Sequence, residues 1–208
     1  MVKKGSSMAS ILSNLKSTVI AGFCLTLAMY IVISLMIGQI SLDHSWFAFL
    51  FRWLHVLSGV MWIGLLWYFN FVQIPNMPNI PDDQKPAIGK VIAPAALWWF
   101  RWGAMATLVT GLILAAMNGY LAGALTLGLS DGGTSTPIGI GMWLGAIMWF
   151  NVWFVIWPNQ KKALGMVEVG AEEKAAAART AMLFSRTNTL LSFPMLFCMV
   201  SAQNGGFM

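Results

Sequence analysis

The chain has 208 residues, 58% of them hydrophobic and 9% charged, with a formal net charge of +5. A soluble domain carries roughly 25% charged residues, so this composition excludes an ordinary soluble enzyme and places the chain among integral membrane proteins. The positive charge sits in a few short stretches, with no basic stripe along a polar helix, which argues against a nucleic-acid-binding surface.

Lys3, Lys4 and Lys16 precede an apolar run over 18–38. That run is longer than the roughly 7–15 residues of a signal-peptide core and has no A-x-A site after it, so it reads as an uncleaved first anchor. A helix needs about 20 apolar residues to cross the hydrocarbon. Five segments qualify: 18–38, 46–72, 91–117, 138–157 and 182–202. With no water to satisfy the backbone inside a bilayer, each must be a helix. The expected fold is therefore all-α, a single transmembrane domain over 1–208 built as a bundle of five spans.

The loops give an orientation. Lys3, Lys4 and Lys16, then Lys85 and Lys90, then Lys161, Lys162, Lys174, Arg179 and Arg186 all fall on one side of that bundle, whereas loops 39–45 and 118–137 carry only Asp43 and Asp131. The positive-inside rule then puts the N-terminus inside and the C-terminus outside, as in a multi-pass protein of a bacterial inner membrane. The loop "QIPNMPNIPDDQKP", with Pro75, Pro78, Pro81 and Pro86, reads as a stiff extended connection. "SDGGTSTP" is turn chemistry. "EVGAEEKAAAARTAMLF" consists of good helix formers and is expected to run on into the last span, which Pro194 would kink.

Two arginines and one histidine remain inside the spans. Arg52, His55, Gly59 and Trp62 recur at helical spacing and share one stripe of the second span. A histidine is a haem ligand, a glycine one turn away leaves room for a planar group, and an arginine nearer the aqueous side pairs with a propionate. That pattern admits a haem b on His55. It also admits a histidine hydrogen-bonded to a neighbouring helix with Arg52 at the headgroups. The other histidine, His44, is eleven residues away, roughly 16 Å along a helix. A second axial ligand would therefore come from a methionine, water or another subunit. Arg101 lies among Trp98, Trp99, Phe100 and Trp102 in the third span. It reads either as a contact for an anion or propionate, with Asn151 within reach on the fourth span, or as an arginine stacked on tryptophans. Cys24 and Cys198 fall toward opposite ends of the bundle and are not expected to pair, and the absence of CxxCH excludes a covalently attached c-type haem on this chain.

Three stretches, "RWLHVLSGVMWIG" (52–64), "NVWFVIWPNQKK" (151–162) and "SRTNTLLSFPMLFCMVSA" (185–202), resemble the membrane domain of bacterial membrane-bound urate hydroxylases, the urate oxidase N-terminal family. The resemblance carries over His55 from the first stretch, Asn151, Trp157, Asn159 and Gln160 from the second, and Arg186, Asn188 and Ser192 from the third. It implies oxidation of urate to 5-hydroxyisourate, with electrons leaving through a cytochrome c domain. The chain ends at Met208 without that domain, so the expected form is a short one. The leading expectation is a membrane redox module, with haem b at His55 and a separate cytochrome c or respiratory-complex partner. The alternatives are a non-catalytic accessory subunit of a larger membrane complex, supported by the many bulky apolar residues available for lipid or partner contact, and a urate hydroxylase in its own right.

Overall fold

The computed structural model describes residues 7–38 and 42–206. Lys3 and Lys4, used above for orientation, and residues 39–41 lie outside them. Among the described residues all regular structure is helical.

Residues 1–46 and 47–208 form two compact units. In the first, α1 (Ser7–Leu12) leads into α2 (Leu15–Ile37). Asn14 separates the two helices and caps α2, its side chain accepting from the Ser17 amide at 3.2 Å. Helix α2 is apolar on every side, with Leu25, Leu27, Leu35 and Met36 all exposed. A helix that is apolar all round needs a non-aqueous surrounding.

The second unit follows from α3 (His44–Trp67), which begins at the end of the first. Then come α4 (Ile74–Asn76), α5 (Lys85–Ala87), α6 (Ala93–Met117), α7 (Leu121–Leu125), α8 (Thr136–Phe150), α9 (Trp157–Ala163) and α10 (Ala171–Asn204). Four continuous helical stretches are long and apolar enough to cross a membrane: Leu15–Ile37, His44–Asn79, Lys85–Met117 and Thr136–Ala163. The chain is thus a multi-pass α-helical membrane protein. The fifth expected span, 182–202, lies within α10, a single 34-residue helix that runs without interruption from the charged "AEEK" segment through Pro194. Arg186, Asn188 and Ser192 dilute its apolar character, and it does not meet the same standard.

The proline-rich loop is not extended. Pro75, Pro78 and Pro86 each stand in the first turn of a short helix, where the missing N–H would have had no intrahelical partner anyway. A second device accompanies the prolines. π turns at Tyr68–Gln73, Ile88–Ile92 and Asn151–Ile156 each end two residues before a proline, namely Pro75, Pro94 and Pro158. In each case the residue before the proline donates five residues back: Ile74 to Phe69, Ala93 to Ile88, Trp157 to Val152. A proline ring clashes with the carbonyl four residues earlier. The wider π turn moves that carbonyl aside, so the helix continues where an α-turn would break.

The core is formed where α3, α6, α8 and α10 meet. Leu66, Phe100, Met148, Val152 and Ile156 are fully enclosed, with Trp62, Phe69, Leu97, Ala104 and Met195 around them. Phe69 and Phe100 pack edge to face at 5.8 Å between centroids. Gly103 admits the α3 backbone, since a Cβ there would stand 3.3 Å from the Trp62 nitrogen; small residues at such crossings let membrane helices approach closely.

Between α7 and α8, Asp131 accepts from the Ser135 amide at 3.3 Å. Hydrogen bonds from the Ser135 side chain first, and from the local backbone, hold the Asp131 carboxyl below its usual range. A depressed folded value contributes stability above the unfolded pKa, about 3.9, that is lost as pH falls through the folded one. Asp131→Asn is therefore expected to lower the thermal midpoint at pH 7, with the difference from the parent shrinking as pH falls below the unfolded value of about 3.9.

Candidate functional site

The sequence-derived residues are distributed over three places.

His55 lies between α3 and α6. Its Nδ1 is 2.9 Å from the Thr107 carbonyl oxygen, with the Thr110 hydroxyl at 3.4 Å. A carbonyl only accepts, so Nδ1 carries the proton and Nε2 keeps its lone pair. The described residues place no hydrogen bond on Nε2. The ring rests on Gly111, where a Cβ would lie 2.8 Å from Cε1. Gly59, expected to leave a flat gap, instead faces Thr107, whose methyl would be 3.9 Å from a Cβ there. The glycine beside the imidazole therefore belongs to α6 and was not found from the stripe on α3. Trp62, at 2% exposed, is core. Arg52 is exposed near the loop end, and its guanidinium partly offsets the upward shift that burial imposes on the Tyr120 phenol.

For a haem iron, this arrangement fits one axial ligand. A backbone carbonyl on Nδ1–H with Nε2 free is the state in which a metal-ligating histidine is held. Among the described residues no group of three or more His, Cys, Asp or Glu is gathered for a bare metal ion.

The second place is a polar seam along α10. Ser185, Asn188 and Ser192, spaced three and four apart, share one face and are buried. Each meets a different partner. Asn70, in the first π turn, donates to the Ser185 hydroxyl at 2.8 Å and to the Leu66 carbonyl at 2.9 Å. Asn151, in the third π turn, donates to the Asn188 carbonyl oxygen at 2.9 Å, and Asn188 donates to the Met148 carbonyl at 2.9 Å. The Trp67 indole donates to Ser192 at 3.0 Å and its ring stacks on Phe193. Asn70, Trp67 and Ser185 were not singled out from the sequence. The available signal was an asparagine inside an apolar run shortly before a proline, at both Asn70 and Asn151. Arg186, next to this face, points away and is exposed.

The third place is Arg101. Asn151, thought to be within its reach, bonds Asn188 instead. The guanidinium carbon lies 3.2 Å from the Trp157 ring centroid and 6.0 Å from that of Trp153. Arg101 is 9% exposed, and its Nε and Nη1 are enclosed without an acceptor. A charge at bilayer depth costs about 3 kcal/mol on insertion scales, and a desolvated cation–π contact returns about 2 kcal/mol, so stacking alone does not offset the burial. Trp153 Nε1 and Gln160 Oε1 are also enclosed and unpartnered.

Fold and site together define a multi-pass helical membrane protein whose helices are tied by a buried amide-and-hydroxyl seam and a stacked arginine. Within that class, residues 129–206 match the family described as urate oxidase N-terminal. The match takes in the stretches 151–162 and 185–202, hence Asn151, Trp157, Asn188 and Ser192, while His55 stands outside it. No curated protein and no solved structure matches the chain.

Proposed function

We propose that the protein is a membrane redox module of the urate hydroxylase type, holding haem b on His55 and passing electrons to a separate cytochrome c or respiratory partner in a bacterial inner membrane. In this reading α10 supplies the fifth span, the N-terminus is inside and the C-terminus outside. The observation that carries it is the bond from His55 Nδ1 to the Thr107 carbonyl, which leaves Nε2 available for an iron; the match of residues 129–206 to the urate oxidase N-terminal family supports the link to urate oxidation. A bound haem would supply reversible one-electron storage. The chain's own contribution is to fix the imidazole tautomer through Thr107, to give it space at Gly111, and to offer Arg52 at the exposed end for a propionate.

The test is a reduced-minus-oxidised absorption spectrum of the purified full-length protein. A Soret band that disappears in His55→Ala, with helicity retained, is the expected result. A folded parent protein that shows no Soret band after expression with haem supplied would sink the redox reading and leave the accessory-subunit one. Urate consumption by membranes containing only this protein, lost in His55→Ala, would instead identify a complete hydroxylase.

A further inference from the structure

We propose that Arg101, Trp153, Trp157 and Lys161 form a receiving site for an oxyanion, a phosphate or carboxylate group reaching the lysine-bearing end of the bundle.

Two cations approach the Trp157 ring. The Arg101 guanidinium stacks on it at 3.2 Å, and the Lys161 ammonium lies 5.7 Å from the same ring centroid. Neither cation has an acidic partner. Among the described residues the ion pairs are Lys85–Asp82 and Lys162–Glu173, and all seven acidic side chains of the sequence fall within those residues. A salt-bridged arginine would have satisfied its fork of donors; here Nε and Nη1 have no acceptor, leaving Nη2 as the guanidinium nitrogen that is not enclosed. Trp153 adds an indole N–H with no acceptor, on the same helical face as Trp157 four residues on. The unmet groups around Arg101 are therefore chiefly donors, and the charge is wholly positive. A buried positive charge with free donors is stabilised by an oxygen anion, because charge-assisted hydrogen bonds are strongest in a low-dielectric setting. Arginine's planar fork suits phosphate and carboxylate alike.

Two sources offer this chemistry: the phosphate of an anionic lipid headgroup, and a soluble oxyanion. Full-length protein, delipidated in zwitterionic detergent, is titrated in parallel with phosphatidylglycerol, phosphatidylcholine and inorganic phosphate. Lipid adducts are counted by native mass spectrometry, and phosphate binding is read as a rise in thermal midpoint. The parent protein is expected to bind its preferred anion at least about tenfold more tightly than Arg101→Gln does, with Lys161→Gln in between and phosphatidylcholine indifferent to both. Discrimination with phosphatidylglycerol alone assigns the site to lipid. Discrimination with inorganic phosphate assigns it to a soluble anion. Equal binding of both anionic probes by the parent, Arg101→Gln and Lys161→Gln overturns the proposal. Should Arg101→Gln not fold, Lys161→Gln decides: it must weaken one probe by about threefold, and an unchanged affinity overturns the site.

Discussion

Asn188→Leu is expected to lower the unfolding free energy by about 2–3 kcal/mol. Asn188 is 0% exposed and uses both ends of its amide, accepting from Asn151 and donating to Met148. Leucine keeps the branched shape and is the larger side chain, so the loss comes from hydrogen bonding and some overpacking, and not from a cavity. The Met148 carbonyl keeps the backbone bond from Asn151. The Asn151 side-chain amide has no such reserve and is left buried and unpaired, at a cost of about 1–3 kcal/mol. Side-chain hydrogen bonds between membrane helices average only about 0.6 kcal/mol in double-mutant cycles, so the penalty is mainly that of the orphaned amide. The paired change Asn151→Leu with Asn188→Leu should therefore recover roughly 1 kcal/mol relative to the sum of the singles. Reversible unfolding in mixed detergent measures all three. A loss below about 0.5 kcal/mol for Asn188→Leu would show that the seam is filler with no structural weight.

The seam also shows what sequence reading reaches in such a chain. The apolar spans and the run of helix from Ala171 past Pro194 follow from composition and local propensity, which act over a few residues. The partners of the polar residues do not. Asn70 and Ser185 are 115 residues apart and Asn151 and Asn188 are 37 apart, and periodicity within one helix is silent about which neighbour faces it. The proline-rich loop failed for a related reason. Proline density argues for extended chain only if each proline interrupts an existing helix; here each begins a turn or follows a π turn that has already displaced the clashing carbonyl. Arg101 was readable as an oddity, and stacking on tryptophan was among its expected roles. Its ring is Trp157, 56 residues on by the numbering, and not one of the tryptophans beside it in sequence. Trp98 and Trp102 are in fact about half exposed.

The second large effect concerns the glycine that stands beside the histidine. The stripe on α3 pointed to Gly59, and the structure points to Gly111. The two are separable by alanine. At Gly59 the added methyl meets only the Thr107 methyl group at 3.9 Å, an ordinary contact, and alanine is the better helix former by about 1 kcal/mol. Gly59→Ala is accordingly expected to be neutral or mildly stabilising. At Gly111 the methyl would stand 2.8 Å from His55 Cε1 and 3.0 Å from Nδ1. A flip of the imidazole puts Nε2 where Cε1 stood and Cδ2 where Nδ1 stood, so it does not relieve the clash; the ring must withdraw from α6. Withdrawal stretches the 2.9 Å bond to the Thr107 carbonyl, and with it goes the restraint that keeps the proton on Nδ1. Overpacking costs about 1–3 kcal/mol and the lost bond about 1 kcal/mol, against about 1 kcal/mol regained from helix propensity. The net destabilisation is about 1–3 kcal/mol. The functional effect is larger than that figure suggests, because an imidazole free to turn no longer presents Nε2 in one direction. In a haem-loaded preparation Gly111→Ala is expected to abolish the Soret band or shift it, and Gly59→Ala to leave it in place. Loss of the band in Gly59→Ala with retention in Gly111→Ala would reverse the assignment and return the planar group to the α3 stripe. Retention in both would mean that the packing of His55 against α6 does not govern the iron.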